Sequence, residues 1–347
     1  YDLLRRVHDA ATATFVAVTI NAAVALAAFG LSNKTPDAAP AQRQTACVPG
    51  AGAVQFAIGL SGLCALGAAV IWTRLLSLMF GATVYTFFII LAVFLIGLGI
   101  GSGAGSMLVR FSPRPSIALP WTQMLLAAAI AWAALMIARS LPYWPIDPAL
   151  AKNPWLTFQL DLARCLWTIL PTACLWGASI PLALAAAASP RQDPGRLVSG
   201  VYAASMAGAI LGAIGFSLVF IPWIGAQQSQ RLLIGLSAVA ALVALGPRLR
   251  PLRLGALVLA GLLAWSVAKV PFEVTGFGRR MLTTAYKSKP LYVGEGRNAS
   301  IAVSQMSDGV RLFHVNGNVE ASSDRHSLRV ERMLGHLPAL LHSQPRS

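Results

Sequence analysis

Long stretches of this chain carry almost no charge. Apolar runs cover roughly 11–32, 53–77, 83–107, 118–139, 156–187, 197–222, 228–247 and 254–270. A helix needs about 20 apolar residues to cross the hydrocarbon core of a bilayer. Only helices and closed barrels satisfy their backbone groups in lipid. These runs are continuous rather than alternating, so they predict helices. The expected fold class is therefore mainly α, a polytopic membrane bundle of about eight transmembrane helices, the last being the shortest.

Composition narrows the function classes. Charged residues make up 11% of the 347 residues, against about 25% in a soluble domain. The net charge of +15 raises nucleic acid as a partner. However, residues 1–270 hold 17 of the 27 Lys and Arg, mostly in short loops between apolar runs. That is a loop bias of membrane proteins and not a solvated basic face, so the partner expected is the lipid bilayer and not nucleic acid. Cys64, Cys165 and Cys174 fall inside apolar runs, and with Cys47 they form no CxxC and no Cys/His pattern of zinc spacing. No metal is expected. The first residue is Tyr1 and no small-residue cleavage site follows the first run, so the sequence reads as part of a longer chain and the first run as a span rather than a signal peptide.

Organisation follows from where the polarity changes. Residues 33–51, SNKTPDAAPAQRQTACVPG, form a Pro/Ala/Gln-rich linker. It separates 1–32, read as the last helix of a preceding bundle, from 52–270, a transporter-like half. TFVAVTINAAVAL (14–26) echoes QRLLIGLSAVAAL (230–242), a pattern of repeated transporter halves. After Val270 the sequence alternates apolar and polar residues. Asp308-Gly309 marks a hairpin and Asn316-Gly317 a second turn. RHSLRVERMLGHLPALLH then reads as an amphipathic helix with Leu328, Met333, Leu334 and Leu337 on one side. Residues 271–347 are thus expected to be a small soluble β-hairpin-plus-helix unit.

A few residues point to chemistry or packing. The run Gly97-Leu98-Gly99-Ile100-Gly101 resembles a nucleotide loop but lies inside an apolar helix without a preceding strand. Gly97 and Gly101, like Gly208 and Gly212, are read as helix-packing positions. Asp161 and Arg164 are three residues apart on one span. They are either a substrate or proton site or a structural pair. Arg74 reads as a helix-end anchor beside an interfacial Trp72. Pro171 and Pro181 are expected to kink their span. Asn298-Ala299-Ser300 matches a glycosylation sequon with nothing further to support it. His336 on its own reads as a solvated or core histidine.

Two stretches together carry a resemblance. VIWTRLLSLMFGATVYTFFIILAVFLIGLGIGS (70–102) and VYAASMAGAILGAIGFSLVFIPWIGA (201–226) resemble the membrane half of proteins that fuse a major-facilitator-like bundle to a spermidine synthase domain. The tail, with Asn316-Gly317 and Met333-Leu334-Gly335-His336-Leu337-Pro338, resembles the N-terminal hairpin domain of spermidine synthases. The resemblance covers roughly 53–347. It implies that His336 lines a nucleoside pocket and that Glu320 stands at the amine site, where the family has Gln; Val330 stands where the family has Tyr. It also implies a C-terminal Rossmann-like domain as partner, absent from this chain, which would bind decarboxylated S-adenosylmethionine or a related nucleoside. No catalytic residue and no cofactor are therefore expected within these 347 residues.

Three functions are compatible with this reading: the membrane part of an aminopropyltransferase-type enzyme acting on an amine such as a polyamine; a transporter-like or scaffold protein with a non-catalytic binding or sensing module; and a transporter using Asp161 and Arg164. The expected location is the inner (plasma) membrane, multi-pass. Loops 108–117, 188–196 and 248–253, with the linker, carry nine Lys and Arg against six opposite, which places them in the cytoplasm. A nucleoside cofactor requires a cytoplasmic tail, so 254–270 is expected to lie on the surface or to re-enter.

Overall fold

A computed structural model describes residues 51–81, 83–111, 115–144, 153–188, 194–245, 250–281 and 288–341, together with Thr19, Ala22, Ala23 and Leu26. The chain divides into two units, Tyr1–Ala46 and Cys47–Ser347. The span expected at 11–32, the linker at 33–51 and the 14–26 echo lie almost wholly outside the described residues.

The second unit begins with α1 (Ala51–Phe80), α2 (Val84–Phe111) and α3 (Pro115–Leu135). A π-helical turn, Met136–Ser140, and a 3-10 turn, Leu141–Tyr143, extend α3. α4 (Pro154–Ala187) runs continuously through Pro171 and Pro181. α5 (Pro194–Gly215) continues through a second π turn, Phe216–Phe220, into α6 (Ile221–Leu245). Among the described residues, five helical segments, including the 51-residue stretch Gly195–Leu245, are long and apolar enough to cross a membrane.

Small residues set how these helices meet. Gly97 lies against Ala173, Gly101 against the backbone of Cys174, and Gly105 against Ala178. The rising numbers on both sides make α2 and α4 parallel. Gly59 meets Ala204, Gly208 meets Gly59, and Gly212 meets Leu63, so α1 and α5 are parallel too. In each seam a side chain on the glycine would overlap the facing backbone, and without it two helices approach closely enough for main-chain van der Waals contact. α3 runs antiparallel to α4, with Gln123 donating to Ser179 Oγ at 3.1 Å and Trp132 to the Trp167 carbonyl at 3.2 Å.

The stretch from Gly195 to Leu245 is about 76 Å long at 1.5 Å per residue, far more than one bilayer. It folds back at Gly225, whose φ of 78° belongs to the left-handed side of backbone space. Beyond the break Leu233 lies level with Cys64 and Gly67, so α6 returns antiparallel to α1.

α7 (Arg250–Ser266) is shorter. Its apolar part, Arg253–Ser266, spans about 21 Å against about 30 Å of hydrocarbon. Yet it neither lies across the bundle end nor re-enters. Arg253 donates to the Leu242 carbonyl at 3.3 Å, while Gln227 and Arg231 donate to the Val267 carbonyl at 3.0 and 3.2 Å. α7 therefore runs antiparallel along α6 and returns the chain to the end of the bundle that holds the α1–α2 turn and Gly225. Arg110, Arg196, Arg250 and Arg253 sit at the other end.

At the end that holds the α1–α2 turn and Gly225, α8 (Phe272–Phe277) and a 3-10 turn, Gly278–Arg280, lead into a four-stranded antiparallel meander. Its strands are β1 (Ser288–Glu295), β2 (Ser300–Met306), β3 (Arg311–Val315) and β4 (Asn318–Ser322). This is larger than the hairpin the sequence suggested. Asp308-Gly309 joins β2 to β3, with the Asp308 carboxylate accepting from Val310 N at 3.0 Å. Asn316 and Gly317, both at positive φ (50° and 82°), join β3 to β4, as a type I′ turn requires. Ala302, Ser304, Leu312 and His314 form the buried side of the sheet. α9 (Arg325–Leu341) follows, capped by Asp324, which accepts from His326 N at 3.1 Å.

Candidate functional site

The polar chemistry of the described residues gathers where the sheet meets the bundle. Asp161, near the start of α4, is 1% exposed. One oxygen accepts from Arg164 Nη1 at 3.4 Å and the other from Arg279 Nη2 at 2.7 Å. Arg164 also donates to the Trp144 carbonyl at 3.3 Å, and its guanidinium lies 6.0 Å from the Phe80 ring centroid. Arg279, in the turn after α8, donates from Nε to the Met79 carbonyl at 3.3 Å and from Nη2 to the Phe80 carbonyl at 3.2 Å. The last carbonyls of α1 have no intrahelical partner and carry the negative end of the helix dipole. One arginine thus satisfies the end of α1 and the buried carboxylate together.

Two further contacts hold the β1–β2 turn. Arg74 donates to the Gly296 carbonyl at 2.6 Å and to the Arg297 carbonyl at 3.4 Å. Glu295 accepts from Ala226 N at 2.6 Å. That amide is freed because Gly225 breaks the helix, so Glu295 sits at a helix N-terminus, where a carboxylate is favoured. On the β3–β4 side, Gly278 (φ 51°) and Gly317 press on the Leu78 carbonyl; a Cβ on Gly317 would stand 3.0 Å from that oxygen. Under the sheet His314 is fully buried, its ring 4.7 Å from Phe277 and hydrogen-bonded to Ser304 Oγ at 2.8 Å. Burial pushes its imidazole below the ordinary value.

The residues singled out from the sequence therefore separate into groups. Asp161 and Arg164 meet, but their third partner, Arg279, was not foreseen, and the carboxylate is fully engaged between two guanidinia. Arg74 is no interfacial anchor beside a belt tryptophan: Trp72 is completely buried, 5.8 Å from Trp176, and Arg74 reaches for the sheet. Glu320 is exposed on β4 and His336 exposed on α9. Gly97, Gly101, Gly208 and Gly212 lie in the helix seams described above. Arg279, Glu295 and His314 were missed. His314 left a signal, since it alternates in step with Leu312 on the apolar side of β3; Arg279 and Glu295 left none.

No family model, curated protein or solved structure matches this chain.

Proposed function

We propose that this chain is the membrane-embedded part of a spermidine-synthase-like protein, in which the bundle carries the leading β-unit of an aminopropyltransferase-type module. The observation behind this reading is α9. The helix follows an antiparallel meander, and Val330, Met333, Leu334, Leu337, Leu340 and Leu341 on it are half to four-fifths exposed. An apolar stripe of this kind is the side a helix turns to a partner layer. The partner proposed is a Rossmann-like domain of the full-length parent, holding decarboxylated S-adenosylmethionine or a related nucleoside. His336, on the same helix, would face that nucleoside, and Glu320 on β4 a polyamine-like amine. Transfer itself requires an oriented amine at a sulfonium-activated carbon, and the groups for it belong to the partner domain. The full-length parent, given decarboxylated S-adenosylmethionine and putrescine, is expected to release methylthioadenosine; none above background would end the reading.

A second reading rests on the path of α7. It brings the sheet out at the end of the bundle opposite Arg110, Arg196, Arg250 and Arg253, and arginine-rich ends face the cytoplasm. A sheet on the far side would have no access to a cytosolic nucleoside and would serve as a binding or sensing module. A reporter fused at Ser347 separates the two: cytoplasmic signal favours the transferase, exported signal the module. The transporter reading is weakened because Asp161 is locked to Arg279 and Arg164.

A further inference from the structure

A cavity of about 580 Å³ lies between the bundle and the β1–β2 turn, within the range of small-molecule sites. Its walls are α1, α2 and the end of α5 with its π turn, through Leu66, Val70, Ile90, Phe94 and Ala213. From Leu66 to Leu78 it follows α1 for about 18 Å, close to the roughly 15 Å of one leaflet's hydrocarbon. Phe87 and Leu91 on its α2 wall are 49% and 37% exposed, so the trough is continuous with the outer surface of the bundle. The end near the sheet is different. Arg74, Arg297, Asn298 and Asn316 line it, and both charged lining residues are arginines. Arg74 is already committed to the turn carbonyls, whereas Arg297 is exposed and contributes only its carbonyl to that contact.

We propose that this cavity binds one membrane lipid with an acidic headgroup, its acyl chain in the trough and its phosphate at the Arg297 guanidinium. The walls are mostly apolar, with the hydroxyls of Thr73, Ser77 and Ser217 among them, and accept hydrocarbon. A guanidinium matches phosphate geometry through paired N–H donors. The lateral opening gives entry from the bilayer, and the occupied site would join bundle and sheet through the lipid. This goes beyond the transferase and module readings and depends on neither.

The test uses the full chain in nanodiscs of equal parts phosphatidylcholine and phosphatidylglycerol, released for native mass spectrometry. One phosphatidylglycerol per chain is expected to be retained. Arg297→Ala should weaken retention about tenfold or more, the loss of a charged hydrogen bond, and Arg297→Lys should restore part of it. Ala213→Leu, which fills the trough and leaves the arginines intact, should lower retention as strongly. Equal retention of phosphatidylcholine, or native retention in both Arg297→Ala and Ala213→Leu, would overturn the proposal. So would inorganic phosphate displacing the lipid, which would mark a site for the free anion alone.

Discussion

The bundle and its junction with the sheet unit differ in the contacts they add to close packing. Inside the bundle, parallel helices meet through glycine seams, and the contacts that fix register are backbone against backbone. Between the bundle and the sheet, Gly278 and Gly317 also pack on the Leu78 carbonyl, but ionic and hydrogen-bonded contacts are added: Arg279 to Asp161, Arg74 to Gly296, Glu295 to Ala226 N. In lipid there is no hydrophobic gain from pressing two apolar helices together, so close shape matching must do it. At the sheet junction the partners differ in kind, a helix end and a turn, and unpaired backbone groups on both sides supply the contacts. Apolar seams are broken by volume, and polar junctions by removal of charge.

The largest expected effect tests the seam. Gly101→Leu would drive a side chain into the Cys174 carbonyl, where backbone cannot yield, and should abolish the monodisperse peak in size-exclusion chromatography. Gly99→Leu, two residues away with open space around it, should leave the peak unchanged. If both variants elute like the native chain, close approach does not organise the bundle.

Asp161→Ala comes next. It leaves Arg164 buried without its carboxylate and unties Arg279, a change of about 3–5 kcal/mol for a broken buried pair. Thermal unfolding in micelles should shift down, and proteolysis should open the sheet unit before the helices. Loss of both regions together would show that the junction and the bundle are one cooperative piece.

Glu295→Gln is expected to cost about 1–2 kcal/mol, the worth of a charged acceptor at a helix N-terminus, and to reduce the salt dependence of unfolding. The smallest effect is that of His314. Its folded imidazole is held below the ordinary value of 6.5, so below that pH the unfolded chain binds more protons than the folded one. Stability should be full above pH 6.5 and decline as pH falls toward the lower folded value. In His314→Gln, melting curves taken across that window should lose this slope.

Much of the architecture was written in local patterns. Uncharged runs announced the helices from 53 to 245, and Asp308-Gly309 and Asn316-Gly317 announced the turns that join β2, β3 and β4. β1 escaped because SKPLYVGE has a Pro and only a short alternation, and it is held as a strand by its pairing with β2. The break between the apolar runs 197–222 and 228–247 announced that the chain reverses there; that Gly225 is the pivot shows only in its positive φ. At the seam Asp161 and Arg164 stood out because charge in an apolar run is costly wherever it occurs. Arg279 did not, since it sits in an ordinary polar segment 118 residues later, and no short-range pattern encodes which distant carboxylate it will meet.

That separation has a consequence for biogenesis. Asp161 emerges from the ribosome long before Arg279 exists. At about 5–20 residues per second the interval is roughly 6–24 s. Throughout it the nascent α4 must shelter an acidic group with Arg164, three residues on, as its counterion within the helix. The helix is therefore inserted before its electrostatic account with the rest of the chain is closed, and membrane assembly finishes only when the segment after α7 arrives to clamp it.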